Sequence, residues 1–331
     1  MKLRQVIIAL VILVFFGCMP FVGSTHNTQL MTESLVLAVS AMGFTFLYGY
    51  TGLASMAQMA YFAVSAYTVA IMTVTYSQNY WFAAVAGIVF AVVTAAIFGL
   101  LAYRTEGIYF LMMTLALSQV AYSAFLQLDW ITGGFRGFSG VGRPNIGSVN
   151  LVQSLPRYYL FLVLTILVYV LLKYISASKY GVALIAGKDS GTKLCSLGMD
   201  VRRQRFTAHI IAGFIAGIAG VMGIMQYGVV SPATTGLIEI LKVIMASIIG
   251  GALWLEGGVL GSFIVVYLIS IVSAETQRYW MIIGAIFVLT ILFLPDGIMG
   301  GAKNLIYKIK SLKNKPKKMM VRLPCICGHL S

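Results

Sequence analysis

Charged side chains are scarce in this chain. Asp, Glu, Lys and Arg make up 10% of its 331 residues, while 60% are hydrophobic and the mean hydropathy is +0.93. That balance excludes a soluble globular protein, in which about 25% of residues are charged. Catalytic signatures are also missing. There is no HExxH, no GxSxG and no Gly-Lys-Ser/Thr phosphate loop, and the three histidines, His26, His209 and His329, stand far apart. No enzyme pattern survives, so any ATP dependence has to come from a partner chain. The four cysteines, Cys18, Cys195, Cys325 and Cys327, are scattered and imply no disulfide framework. Cys325-Ile-Cys327 with His329 falls short of a metal ligand set. Neither a metal nor a cofactor is expected in the chain itself.

Long apolar runs are abundant instead. About 20 apolar residues cross a hydrocarbon core of roughly 30 Å. The runs 6–22, 34–50, 53–76, 81–103, 107–128, 158–174, 206–227, 238–254, 257–273 and 280–294 therefore predict an all-α polytopic integral membrane protein. About 8 to 10 transmembrane helices are expected, some of them broken or re-entrant where Gly interrupts the run. Residues 1–302 form the transmembrane part and 303–331 a basic tail. The first run is longer than a signal-peptide core and lacks a small-x-small cleavage site, so it reads as a retained span. With these spans, 18 of the 23 Lys and Arg fall on one side, four (Arg136, Arg143, Arg157, Arg278) on the other, and Lys242 within a span. Basic loops stay cytoplasmic. The asymmetry predicts a multi-pass protein of the cytoplasmic (inner) membrane with both termini cytoplasmic. It accounts for the net charge of +14 without nucleic acid, and its lysines suit anionic lipid headgroups.

Four stretches stand out. Residues 176–205 form a long basic interruption carrying Lys179, Lys188, Lys193, Arg202, Arg203 and Arg205. Short apolar clusters alternate there with charges, as in amphipathic pieces that bury one face, and the stretch reads as a cytoplasmic platform for another subunit. Residues 48–67 combine Gly49, Gly52 and many small residues with the polar groups of Tyr50, Ser55 and Gln58. Either a helix-packing interface or a broken helix lining a path has this composition. Residues 132–144 hold six Gly or Pro in thirteen positions, among them Gly133, Gly134 and Gly140 beside Thr132 and Ser139. This is a turn-rich external loop, either a connector or a meeting point for a soluble partner. Residues 207–261 hold a Gly/Ala-rich helix, a Ser231-Pro232 break, and Glu239 and Lys242 three residues apart. Ionisable groups at membrane depth cost about 2.5 to 3.5 kcal/mol each, so they pair or line a wet cavity. Spacing of three lets these two pair. Snorkelling at the interface is the other reading.

Taken together, the stretches resemble the permeases of branched-chain amino acid ABC importers, specifically the LivM-type subunit. The resemblance runs from about Ser34 to Gly300. It rests on Gly49-Tyr-Thr-Gly52 through Tyr61-Phe-Ala-Val-Ser-Ala-Tyr67, on Arg104-Thr-Glu-Gly-Ile-Tyr-Phe110, on the Thr132–Gly140 loop and on the closing Leu294-Pro-Asp-Gly297, in that order. The resemblance implies that residues 176–205 are the coupling loop seated on an ATPase, with Lys188, Asp189, Leu197 and Gly198 on its family pattern. Gly191 replaces an acid there, and because Gly costs about 1 kcal/mol relative to Ala in a helix, a shorter or broken coupling helix is expected. Tyr50, Gly52, Ser55, Gln58, Glu239 and Lys242 would line the translocation path. Gln58 stands where His is common and Lys242 where Glu is common. The implied partners are a second homologous permease, two cytoplasmic ATPases that supply ATP-Mg, an external solute-binding protein and membrane lipid. Branched-chain or other hydrophobic amino acids are the implied cargo, with urea or short amides carried by related permeases. An ion-coupled secondary transporter using Glu239 and Lys242 is the alternative outside the family.

Overall fold

A computed structural model describes residues 25–146, 149–196, 198–293 and 297–301. The first expected span, the coupling position Leu197 and the basic tail lie outside them. In chain order the helices of more than four residues are Thr25–Thr51 (α1), Gln58–Val74 (α2), Tyr80–Ala102 (α3), Gly107–Gln127 (α4), Ser154–Ala177 (α5), Lys179–Asp189 (α6), Gly191–Ser196 (α7), Val201–Tyr227 (α8), Leu237–Gly250 (α9), Leu255–Glu275 (α10) and Tyr279–Phe293 (α11). Among the described residues, seven helices are long and apolar enough to cross a membrane: α1, α3, α4, α5, α8, α10 and the segment Tyr279–Gly301. The chain is a polytopic all-α membrane protein.

Two of the expected spans are shorter than their apolar runs. The run 53–76 yields only the 17 residues of α2, because Gly52 leaves α1 with φ of +75° and the chain stays non-helical until Gln58. The run 238–254 yields the 14 residues of α9, bounded by the Ser231-Pro232 break and by Gly251 with φ of +117°.

α1 and α8 form the centre, with 83% and 78% of their most apolar windows buried, against 17% for α4. Small residues explain the packing. Without side-chain bulk, backbones in a membrane approach closely and trade hydrogen bonds. Ser65 on α2 donates to the Gly217 carbonyl of α8 at 2.8 Å, and Tyr80 on α3 donates to Val221 O at 2.9 Å. The peripheral helices turn large apolar side chains outward, such as Phe82 and Leu100 on α3 and Met281 and Leu292 on α11. Lipid covers such faces in a spanning protein.

The ends of the bundle differ in charge. The C-termini of α1 and α5, the short helices α6 and α7 and the N-terminus of α8 gather at one end, here called the basic end. Asp200 caps α8 there, accepting from the backbone N–H groups of Arg202 and Arg203 at 3.0 and 3.3 Å. At the far end, Phe138–Ser139 (β1) pairs antiparallel with Val229–Val230 just past α8, and Arg143 donates to the Met225 and Gln226 carbonyls that finish α8. The turn-rich loop is thereby fastened to the central helix.

Candidate functional site

The far end opens into a cavity of about 530 Å³. Leu30, Glu33, Leu37 and Ser40 of α1 line it. Their spacing of three, four and three places them on one helical face. Opposite them are Met59 and Phe62 of α2, Glu239 and Lys242 of α9, and Ile269 and Ser273 of α10, with Tyr227 closing α8. Lys242 Nζ donates to Glu239 Oε1 at 2.6 Å and lies 5.5 Å from the Trp280 ring centroid. The two side chains are 21% and 31% exposed. The half-exposed Tyr227 faces the carboxylates of Glu33 and Glu239.

One helical turn inward of Ser40, roughly 4.5 Å along α1, comes Gly43. The Gln58 side chain packs against it: a methyl group added to Gly43 would sit 3.4 Å from Gln58 Oε1. Gln58 is 2% exposed, and among the described residues neither its oxygen nor its nitrogen has a hydrogen-bond partner. A buried amide left unpaired costs on the order of 1 to 3 kcal/mol. Ser55, 1% exposed, accepts from the Ala57 N–H at 3.3 Å and so helps start α2 at this depth.

At the basic end α1 is tied to α6. Lys188 of α6 donates to the Gly49 carbonyl at 3.0 Å, lies 5.9 Å from the Tyr48 ring centroid, and runs its methylene stem along Gly52. Tyr50 is half-buried and stacks obliquely on Phe46 at 5.4 Å. Two further ties hold this end. Glu256 at the start of α10 accepts from Tyr169 and Lys173 of α5, both at 2.8 Å, and Arg205 pairs with Glu106 at 2.6 Å. Tyr180 fastens α6 to α8 by donating to Gln204 O at 2.9 Å and bonding the Thr207 hydroxyl at 2.6 Å. Burial raises its hydroxyl pKa above the ordinary tyrosine value.

The residues singled out from sequence therefore fall into four places: the far cavity, the layer beneath it, the basic end and the turn-rich loop. Glu239 and Lys242 share the far cavity. Ser55 and Gln58 lie beneath it. Tyr50 and Gly52, expected on the path, stand at the basic end beside Lys188, which was expected to couple. The stretch expected to couple is interrupted: α6 stops at Asp189, Ser190 breaks the helix, and α7 has six residues. Asp189 and Gly198 are exposed there. Thr132 is buried and donates to the Phe125 and Leu128 carbonyls at 2.6 and 2.9 Å, Gly134 is buried, and Gly133, Ser139 and Gly140 are exposed. Sequence reasoning passed over Glu33, although the Leu30, Glu33, Leu37, Ser40 stripe was there to be read. It also missed the buried bond of 2.7 Å between Tyr61 and His209, residues 148 positions apart that no local pattern connects.

Residues 27–293 match the family model described as branched-chain amino acid transport system / permease component. Among curated proteins, the chain is 22% identical over 324 residues to the high-affinity branched-chain amino acid transport system permease protein LivM of Escherichia coli strain K12, covering 89% of this chain and 75% of that one. It is 27% identical over 306 residues to the probable branched-chain amino acid transport permease protein LivH of Methanocaldococcus jannaschii, covering 81% and 89%. No solved structure matches the chain.

Proposed function

The chain belongs to the family of permease components of branched-chain amino acid transport systems, and from that premise we propose that it is the membrane subunit of an ATP-driven importer. The observation that carries the reading is the contrast along α1, open at the far end around a 530 Å³ cavity and tied down at the basic end by Lys188 on the Gly49 carbonyl. A path that opens on one side while sealed on the other is one half of an alternating-access cycle. By the positive-inside rule the basic end is cytoplasmic, both termini lie on that side, and the cavity faces outward.

In this reading α6 and α7 are where force enters. Val182, Ile185 and Asp189 form an exposed stripe on α6 at spacings of three and four, the surface on which a cytoplasmic ATPase rests. Lys188, on the same helix, transmits its movement to α1 and to the non-helical stretch before α2. The assembly comprises this chain, a second homologous permease, two ATPases that bind ATP-Mg, and an external solute-binding protein that meets the Thr132–Gly140 loop. Branched-chain or other hydrophobic amino acids are the cargo, in keeping with the apolar walls contributed by Leu30, Leu37, Phe62 and Ile269. Urea and short amides would gain nothing from those walls.

Solubilising the full chain from its native membrane and recovering its partners tests the assembly. An ATPase and a second permease should come down with the wild-type chain and be lost with Ile185→Asp. Reconstituted uptake should follow ATP. Uptake that follows membrane potential instead, by a chain recovered alone, overturns the importer and establishes the ion-coupled transporter.

A further inference from the structure

The walls of the far cavity are mostly apolar, but the charged groups on them do not cancel. Two carboxylates, Glu33 and Glu239, face one ammonium, Lys242. That ammonium is already engaged by Glu239 at 2.6 Å and by the Trp280 ring. Among the described residues Glu33 has no ion-pair partner. The Tyr227 hydroxyl hydrogen-bonds to it and brings no positive charge. Glu33 also sits on the α1 stripe that leads inward to Ser40 and, one turn deeper, to the unpaired amide of Gln58.

We infer that Glu33 is the selectivity determinant of this cavity and anchors the ammonium group of an amphiphilic ligand whose aliphatic body lies against Leu37, Phe62 and Ile269. A charge on a partly desolvated wall favours an opposite charge far more than it would in water, and it repels a like one. An alkylammonium is therefore accepted. An alkyl carboxylate with the same body is rejected, because the one cation that would receive it is held by Glu239. The ammonium enters at Glu33, and the aliphatic body then points along the stripe toward Ser40. The inference rests on the outward cavity being part of the transport path.

The test measures binding directly, with the full chain and its partner subunits in lipid nanodiscs, by titration calorimetry against two probes of equal aliphatic shape. Isopentylamine carries the ammonium and 4-methylpentanoate the carboxylate. The wild-type chain should bind the amine at least about tenfold more tightly than the carboxylate. Glu33→Gln should remove most of that difference, while Glu33→Asp should keep it. Equal affinity for the two probes in the wild type, binding of neither, or an unchanged ratio in Glu33→Gln each overturns the inference. The wild-type comparison stands whether or not the variants fold. Amine binding at Glu33 by a chain that recovers no ATPase would sink the importer and leave this site. Assembly and ATP-driven uptake with an unchanged probe ratio would do the reverse.

Discussion

The far end of α1 carries more polar side chains than the basic end, from Thr25 to Ser34, and the two ends pack in opposite ways. Toward the far end, Leu30, Glu33, Leu37 and Ser40 face large or polar residues of α2, α9 and α10 across a cavity. Toward the basic end, α1 meets backbone. A methyl group at Gly49 would lie 3.4 Å from the Ala252 carbonyl oxygen, and Lys188 bonds the Gly49 carbonyl from the other side. Beside it, the neighbouring pair α9 and α10 is closed by glycine: a methyl group at Gly261 would collide with the Ala246 carbonyl and come within 2.8 Å of the Gly250 nitrogen. Polarity distinguishes the two ends, and so does the volume of the side chains between the helices, because interiors pack at near-crystalline density and bulky residues that cannot interdigitate leave space.

Three substitutions would break or sharpen that contrast. The largest effect is expected from Gly261→Val, which puts a branched side chain where backbone touches backbone. Overpacking of this kind costs about 1 to 3 kcal/mol where side chains can yield, and more here, where the obstacle is a carbonyl. The variant should show a clearly lowered unfolding temperature in detergent, or fail to accumulate. Wild-type stability would show that α9 and α10 can separate at the basic end.

Gln58→Leu comes next and acts in the opposite direction. It replaces a buried amide that has no partner among the described residues by an apolar group of similar size, relieving a penalty of about 1 to 3 kcal/mol. Thermal unfolding should rise while uptake falls, since the polar group beneath the cavity is lost. Raised stability with unchanged uptake would place Gln58 outside the path.

Lys188→Met is the mildest. It keeps the stem that lies along Gly52 and removes one bond to the Gly49 carbonyl, a change of about 1 kcal/mol. Stability should barely move. A cysteine placed at Tyr50 should nevertheless react faster with a polar maleimide applied from the basic side, because the closure has lost its latch. Unaltered labelling would mean that packing alone seals this end.

How much of this could be read beforehand varies residue by residue. The helical spans were legible because a bilayer leaves the backbone no partner but itself, so about 20 apolar residues in a row have few alternatives to a helix. α3, α4 and α11 begin and end within a residue or so of their apolar runs. The break before α2 was half legible: Gly49, Gly52 and their small neighbours are compatible with either close packing or an irregular backbone, and both occur, the irregular stretch at Gly52–Ala57 and the packing from Ser65 onward. The pairing of Glu239 with Lys242 was legible because three residues on a helix is a fixed distance.

Sequence by itself thus determined the class of molecule, its helices, the basic end and the local pair of Glu239 with Lys242, all of which follow from composition or from spacing within a single element. Tertiary structure alone decided that Glu33 joins that pair in a cavity, that Gln58 lies unpaired beneath it, and that Lys188 reaches across 139 positions to Gly49. It also placed Gly52 beside Lys188 at the basic end. These depend on which faces of distant helices meet. In a chain whose helices are apolar on nearly every side, hydrophobic periodicity does not encode that choice; the sizes of the side chains at each crossing do.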